Sequence, residues 1–158
     1  MHRMIWPALA VFSIALIGAA APASAQDVRL LEIAQELLGR VWVHGRHEVA
    51  TALRTAHGSI YTGVHVEGSC RRSSICAEGV AMGTARAGLP PGAPLLIDTV
   101  VSVQIKPAGQ FRIIAPCGVC RELISDYSPD TRVWITGDTG VLAVAALDLL
   151  PHKTRRTW

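Results

Sequence analysis

Aromatic and charged side chains are scarce in this sequence. Of the 158 residues, 5% are aromatic and 17% are charged, and the formal net charge is +3. Proteins that hold nucleic acid need a basic surface, and those that bind single strands also use aromatic stacking platforms. The only basic cluster is the C-terminal stretch "HKTRRTW", which is too small for such a footprint. The composition therefore argues against a nucleic-acid-binding protein.

The sequence also lacks internal repeats, low-complexity segments and interior linkers, so we expect a single domain with its own core. The first 25 residues stand apart: a short basic start, the apolar run "MIWPALAVFSIALIGAA" and the pair Ala23-x-Ala25. This three-part pattern predicts a secretory signal peptide over residues 1–25, because the apolar run is short for a membrane span. Cleavage would remove Arg3 and no acidic residue, which lowers the net charge from +3 to +2.

The mature protein would then be residues 26–158, periplasmic or secreted, with no membrane segment. The alternative is a misplaced start codon, with a cytoplasmic protein that begins near Val28. Export would make disulfides possible, so the cysteines need a separate test.

The pattern of apolar residues predicts an α/β domain with a mixed sheet and helices on its faces. A hairpin comes first, with strands near 48–55 and 59–66, and strands then alternate with helices. The other predicted elements are, in chain order, a helix over "VRLLEIAQELLG", a helix capped by Ser73 or Ser74 that runs through Ala87, the buried strand "IDTVVSVQI", the short strand "FRIIA", a helix with Pro116 in its first turn, the strands "TRVWIT" and "VLAVAAL", and a short helix at "LDLLP".

Only four cysteines are present, and three of them lie at predicted helix starts. They are compatible with a disulfide framework, a structural metal or a catalytic metal. Cys117 and Cys120 form a C-x-x-C, a spacing common to metal and redox sites. A thioredoxin-type motif would follow the first strand of a domain, so the late position favours metal, with Cys76 as the third ligand.

The cysteine positions suit zinc. A cap at Ser74 would put Cys76 in the first helical turn, where the helix dipole favours a thiolate. Cys117 and Cys120 share one helix face. Three thiolates make a soft site for Zn²⁺ that leaves the fourth tetrahedral position open. A structural zinc would need a fourth protein ligand, and Cys70 is the candidate for that alternative.

Glu78 favours a catalytic zinc over a structural one. A carboxylate two residues after a ligand can reach the open position without binding the metal, take a proton from water there and return it to a leaving group. The pattern C-x-E followed by P-C-x-x-C is the signature of zinc nucleobase deaminases.

The sequence resembles the cytidine deaminase superfamily, and in particular its small free-nucleoside branch, over roughly residues 47–151. "YTGVHVE", "CAEGVAMGTA", "PCGVCREL" and "LDLLP" occur in the expected order. The resemblance implies a three-layer α/β/α sandwich with a mixed five-stranded sheet, one zinc per chain, no organic cofactor, a homotetramer, and hydrolytic deamination of a cytidine-like nucleoside. It implies Cys76, Cys117 and Cys120 as ligands, Glu78 as proton shuttle, and peptide N–H groups at Ala77 and near Cys117 that orient the base or the water.

Arg121 follows the last cysteine, as an arginine commonly does in the three-cysteine branch. The resemblance implies that its guanidinium donates to two sulfurs and moderates the negative charge of three thiolates on Zn²⁺. The alternative is an ordinary helix-surface arginine paired with Glu122.

Two positions depart from the cytidine deaminase pattern. His65 replaces the asparagine of Asn-x-Glu, which reads the ribose hydroxyls in that family, while Glu67 is kept. His47 stands where a phenylalanine stacks on the pyrimidine. The run H-x-V-A-x-A is more similar to blasticidin S deaminase, although that enzyme lacks the glutamate of the second strand. The substrate is therefore a cytidine-like nucleoside or a modified cytosine nucleoside of the blasticidin S type; a non-catalytic zinc-binding domain is the third alternative.

Overall fold

The computed structural model describes residues 25–106, 109–138 and 140–154. The predicted signal peptide lies outside the described residues except for Ala25. Within the described part of the chain, no helix is both long and apolar enough to cross a membrane.

Helices and strands occur close to where the sequence predicts them, except that the short helix predicted at "LDLLP" is a 3₁₀ turn. The helices are α1 (Ala25–Val41), α2 (Ala77–Ala87) and α3 (Gly118–Tyr127), and short 3₁₀ turns cover Arg71–Ser73 and Ala146–Leu149. The strands are β1 (Val49–Thr55), β2 (Ile60–Val64), β3 (Ile97–Ile105), β4 (Phe111–Ile113), β5 (Arg132–Gly137) and β6 (Gly140–Ala145).

The sheet is mixed, and it has six strands where the resemblance implied five. Its main path is β2-β1-β3-β5-β6, and the β3–β5 pair is parallel while the others are antiparallel. The sixth strand arises because β5 pairs with β3 only at Thr99 and Val100. The rest of that edge, Val103–Ile105, pairs with the short β4.

Helices cover both faces of the sheet, so the three-layer α/β/α prediction is confirmed. On one face α1 packs its fully buried Leu30 and Leu38 against β1 and β3. Each such leucine contributes on the order of 2 kcal/mol. On the opposite face, Met82 of α2 and Ile124 of α3 belong to one buried cluster with Leu53 of β1. The alternation of side chains along β3 serves both layers.

The start of α2 differs from the prediction. The helix begins at Ala77 with Cys76 as its N-cap, whereas Ser73 or Ser74 was expected to be the cap. The physical reason is a competing use of the serine: the Ser74 hydroxyl donates to Glu67 Oε1 (2.8 Å) and accepts from the Gly68 N–H (3.1 Å).

The start of α3 also shifts. Cys117 is the N-cap and the helix begins at Gly118. Pro116 therefore precedes the cap instead of lying in the first turn.

Candidate metal centre

The three cysteines singled out in the sequence come together. The sulfurs of Cys76, Cys117 and Cys120 all lie within 4.8 Å of one another, and those of Cys76 and Cys117 are 3.6 Å apart. A tetrahedral zinc with Zn–S bonds of about 2.3 Å requires sulfur–sulfur separations of about 3.8 Å. The spacing and the chemistry of the donor set therefore fit zinc.

Two helix N-termini form this cluster. Cys76 caps α2, Cys117 caps α3, and Cys120 is the third residue of α3, where it is only 2% exposed. The first N–H groups of a helix have no partner within it, and together with the dipole they favour negative charge nearby. Ala77, the first residue of α2, is fully buried beside the cluster and carries one of these N–H groups.

The three thiols differ in acidity. Burial raises the pKa of Cys76 to about 11, and the neighbouring Cys117 thiol adds to the effect. Burial and then the charge of Glu78 also raise the pKa of Cys120. Burial acts in the same direction on Cys117, but the backbone N–H of Cys120 and the adjacent thiols outweigh it, so the pKa of Cys117 is lowered. Metal loading must therefore displace protons from this cluster.

Cys70 does not join the three-sulfur group. All four cysteines are free, and Cys70 is exposed at the start of the 3₁₀ turn, where its carbonyl oxygen accepts from Ser73 (2.7 Å). Among the residues that the structure describes, the group has three members. This geometry does not support the closed structural site with Cys70 as fourth ligand.

Glu78 lies against the cluster from inside the core. Its side chain is on the first turn of α2 and only 4% exposed. Oε2 lies 3.4 Å from the Cys120 sulfur, and Oε1 accepts a hydrogen bond from the Ser102 hydroxyl (3.0 Å). The Ser102 hydroxyl is in turn 2.7 Å from that of Thr51.

Ser102 and Thr51 are site residues that sequence reasoning missed. The signal in the sequence is slight, because each is a small polar residue inside a strand that also carries other polar side chains. Their significance depends on the register of β1 against β3, which pairs these two positions directly. A sequence pattern alone does not give that register.

His47, His65 and Glu67 also lie together. His47 Nδ1 is 3.0 Å from the His65 carbonyl oxygen, and His65 Nε2 is 3.3 Å from Glu67 Oε2. Because Ser74 donates to the other Glu67 oxygen, both oxygens of that carboxylate are engaged. Ser74 is two residues before Cys76, so this group adjoins the sulfur cluster along the chain.

Arg121 has different partners from those the resemblance implied. Its Nε donates to the Pro116 carbonyl (2.9 Å) and its NH1 to the Leu149 carbonyl (3.4 Å). The guanidinium therefore ties the start of α3 to the 3₁₀ turn at Ala146–Leu149, and its described partners are these carbonyls instead of sulfurs or Glu122.

The fold and the site geometry agree with a known family. A family model of the cytidine and deoxycytidylate deaminase zinc-binding region matches residues 24–136. The chain belongs to this deaminase family. The matched region includes Cys76, Glu78, Cys117 and Cys120, and because it is a zinc-binding region, the three-sulfur cluster is the candidate zinc site. The resemblance noted in the sequence is thereby confirmed.

Two relatives with curated descriptions cover much of this deaminase-family chain. It is 35% identical over 137 residues to the blasticidin-S deaminase of Bacillus cereus, a match that covers 84% of this chain and 95% of the relative. It is 31% identical over 108 residues to a probable cytidine deaminase of Dictyostelium discoideum, which covers 68% of this chain and 69% of that one.

Solved structures of the family have the same fold. The cytidine deaminase of Burkholderia pseudomallei is 28% identical with a TM-score of 0.64, over 80% of this chain and 98% of that one. The cytidine deaminase of Bacillus anthracis superposes with a TM-score of 0.67, over 80% of this chain and 87% of that one; at 19% identity this shows the fold alone.

Proposed function

We propose that this protein is a zinc-dependent hydrolase that removes the amino group of a cytidine-like nucleoside as ammonia. Membership in the deaminase family supports the proposal, and one observation carries it. The buried carboxylate of Glu78 is held 3.4 Å from the sulfur of a cysteine that belongs to a three-sulfur metal cluster. A closed structural zinc would have no use for that arrangement.

Each residue of the candidate centre has its own role in the proposed deamination. Cys76, Cys117 and Cys120 would hold the zinc, which when bound activates water for attack at neutral pH. The water oxygen adds to the ring carbon that bears the amino group and becomes the carbonyl oxygen of the product. Its two protons must go to the adjacent ring nitrogen and to the amino nitrogen, which leaves as ammonia. Glu78 takes up and delivers these protons at Oε2, the oxygen next to Cys120.

The sugar end of the substrate is assigned to His65 and Glu67, whereas His47, at the position where a phenylalanine stacks on the pyrimidine, is assigned to the base. Glu67 has both oxygens engaged, so a ribose hydroxyl would have to replace His65 at Oε2. Two observations favour a second candidate, a modified cytosine nucleoside of the blasticidin S type: His47 in place of an aromatic residue, and the relative from Bacillus cereus. The base chemistry is the same for both candidates.

We also propose that the mature chain, residues 26–158, is exported and forms a homotetramer. The three-part N-terminal pattern supports export. Exposed apolar side chains beside the candidate centre support assembly: Val66, Ile75 and Val119, the last 75% exposed between two zinc ligands. N-terminal sequencing of the secreted protein and light scattering of the purified protein test these two points.

A substrate screen tests the reaction. We expect ammonia release from cytidine, deoxycytidine or blasticidin S, with cytosine a poor substrate. Glu78→Gln keeps the shape of the side chain, so we expect a folded, zinc-loaded variant whose rate falls by roughly 10²–10⁴-fold. A variant that keeps more than about a tenth of the wild-type rate would remove Glu78 from the mechanism. A zinc-loaded wild type inactive on all four compounds would favour the non-catalytic domain.

A further inference from the structure

We propose that Ser102, supported by Thr51, is a positioning residue for Glu78. In this proposal the serine hydroxyl donates a hydrogen bond to Glu78 Oε1, so that Oε2 is the oxygen that carries protons during the reaction. The inference rests on the proposed function, because it assigns a role through Glu78.

The two hydroxyls form a pair at the centre of the sheet. Thr51 of β1 and Ser102 of β3 are register partners on adjacent strands, 0% and 2% exposed. Their neighbours Ala52 and Val101 point to the α1 side of the sheet. Because side chains alternate along a strand, Thr51 and Ser102 point to the other side, which α2 covers.

Buried hydroxyls need partners, and these two have few. Among the described residues, the partners of their hydroxyl groups are each other and the Glu78 carboxylate. Within the described part of the chain, Glu78 is therefore the one hydrogen-bond partner that the two hydroxyls have besides each other. An apolar pair would fill the same position in the core if only packing were required.

The direction of the hydrogen bonds follows from what each group can donate. An ionised carboxylate only accepts, so the single proton of Ser102 is committed to Glu78 Oε1. The 2.7 Å contact between the hydroxyls must then be a donation from Thr51 to Ser102. The hydrogen bonds therefore run from Thr51 to Ser102 and from Ser102 to Glu78, and together they fix the orientation of the serine hydroxyl.

This arrangement makes the two oxygens of Glu78 unequal. Oε1 receives a hydrogen bond from the sheet, while Oε2 lies toward Cys120 and the zinc site. A proton carried on Oε2 leaves Oε1 able to accept from Ser102 as before. The carboxylate thus keeps one orientation through both of its protonation states, and no rotation is needed between the two proton transfers.

The test compares variants of the full-length, zinc-loaded protein. We expect Ser102→Ala to lower kcat by roughly 10- to 100-fold, since small misplacements of a reacting group have effects of this size. KM and zinc content should stay within about twofold of wild type, because Ser102 contacts neither the substrate nor the metal in this scheme. Ser102→Thr restores the hydroxyl and should recover most of the rate. Thr51→Val, similar in shape, should cause a smaller fall in kcat.

A double variant separates positioning from general stability. If Ser102 acts only through Glu78, Ser102→Ala should cause no further loss in a Glu78→Gln background. Thr131→Val is the matched control: it removes another buried hydroxyl, which donates to the Ile97 carbonyl (2.9 Å), and should lower Tm without lowering kcat.

Several results would overturn the inference. A Ser102→Ala protein with lower Tm but wild-type kcat would show a structural role alone, and the proposed function would stand. Loss of zinc from Ser102→Ala would assign the serine to the metal site. An active Glu78→Gln, or a wild type without deaminase activity, would overturn both proposals together. If Ser102→Ala does not fold, unchanged kcat in Thr51→Val would overturn the pairing.

Discussion

At the scale of single residues, Glu67 shows how one substitution changes the surroundings of a carboxylate. In the pattern of the family an asparagine precedes it by two positions, but here His65 does so and lies 3.3 Å from its Oε2. Oε2 of the carboxylate is therefore already paired with a histidine side chain. Ser74 holds the other oxygen at 2.8 Å, which keeps the side chain beside the segment that leads into Cys76.

His65→Asn tests whether that pair controls the sugar. If the pocket takes cytidine, the variant should raise kcat/KM for cytidine, because an amide can donate and accept at once and releases Glu67 Oε2. Glu67→Ala should reduce kcat/KM for cytidine at least about 10-fold more than for cytosine, since a site built for a hydroxyl discriminates against ligands without it. Steady-state kinetics with both substrates gives the answer. Loss of activity on blasticidin S in His65→Asn, with cytidine poor throughout, would favour the second candidate.

At the scale of elements, the close approach of α2 to β2 positions the turn that carries Glu78. A Cβ atom at Gly63 of β2 would lie 2.3 Å from the Ala77 carbonyl oxygen and 2.4 Å from the Ala81 nitrogen. Both are backbone atoms of α2, so no side-chain rotation could relieve the contact. Glycine at this position lets the helix lie directly on the strand, and it thereby sets the height of Glu78 above the sheet.

Gly63→Ala should therefore harm both stability and activity. Overpacking of this kind costs about 1–3 kcal/mol, and the helix can accommodate the methyl group only by moving Ala77 and Glu78. Gly83→Ala is the matched control within α2, because its Cβ would meet nothing within 4 Å. The control should gain up to about 1 kcal/mol from helix propensity. Denaturant unfolding and kcat measure both effects; a Gly63→Ala protein as stable and active as wild type would contradict the close approach.

At the scale of the whole molecule, zinc would join parts of the chain that are far apart in sequence. Cys76 and Cys117 are 41 positions apart and cap different helices. A bound metal adds its binding free energy to the stability of the folded chain. The metal should therefore matter for the whole domain and not only for the reaction.

We expect one zinc per chain in the purified protein. Cys117→Ala and Cys120→Ala should lose nearly all of it and melt at a lower temperature, as should the wild type after chelation. Cys70→Ala is the control, because its exposed sulfur is outside the cluster. Elemental analysis with thermal unfolding checks each variant. Zinc missing from the Cys70→Ala protein would point to a closed, structural site.

What the sequence by itself determined about this protein is local. Apolar periodicity predicted the type of each helix and strand, and "CAE" with "PCGVC" indicated the ligands and the carboxylate, because these signals depend on neighbours a few positions away. Only the tertiary structure decided which polar side chains form hydrogen bonds with one another. In the folded protein Ser74 donates to Glu67 instead of capping a helix, Arg121 donates to two backbone carbonyls, and Ser102 donates to Glu78. Those choices depend on strand register and packing between segments dozens of residues apart, and no local pattern encodes them.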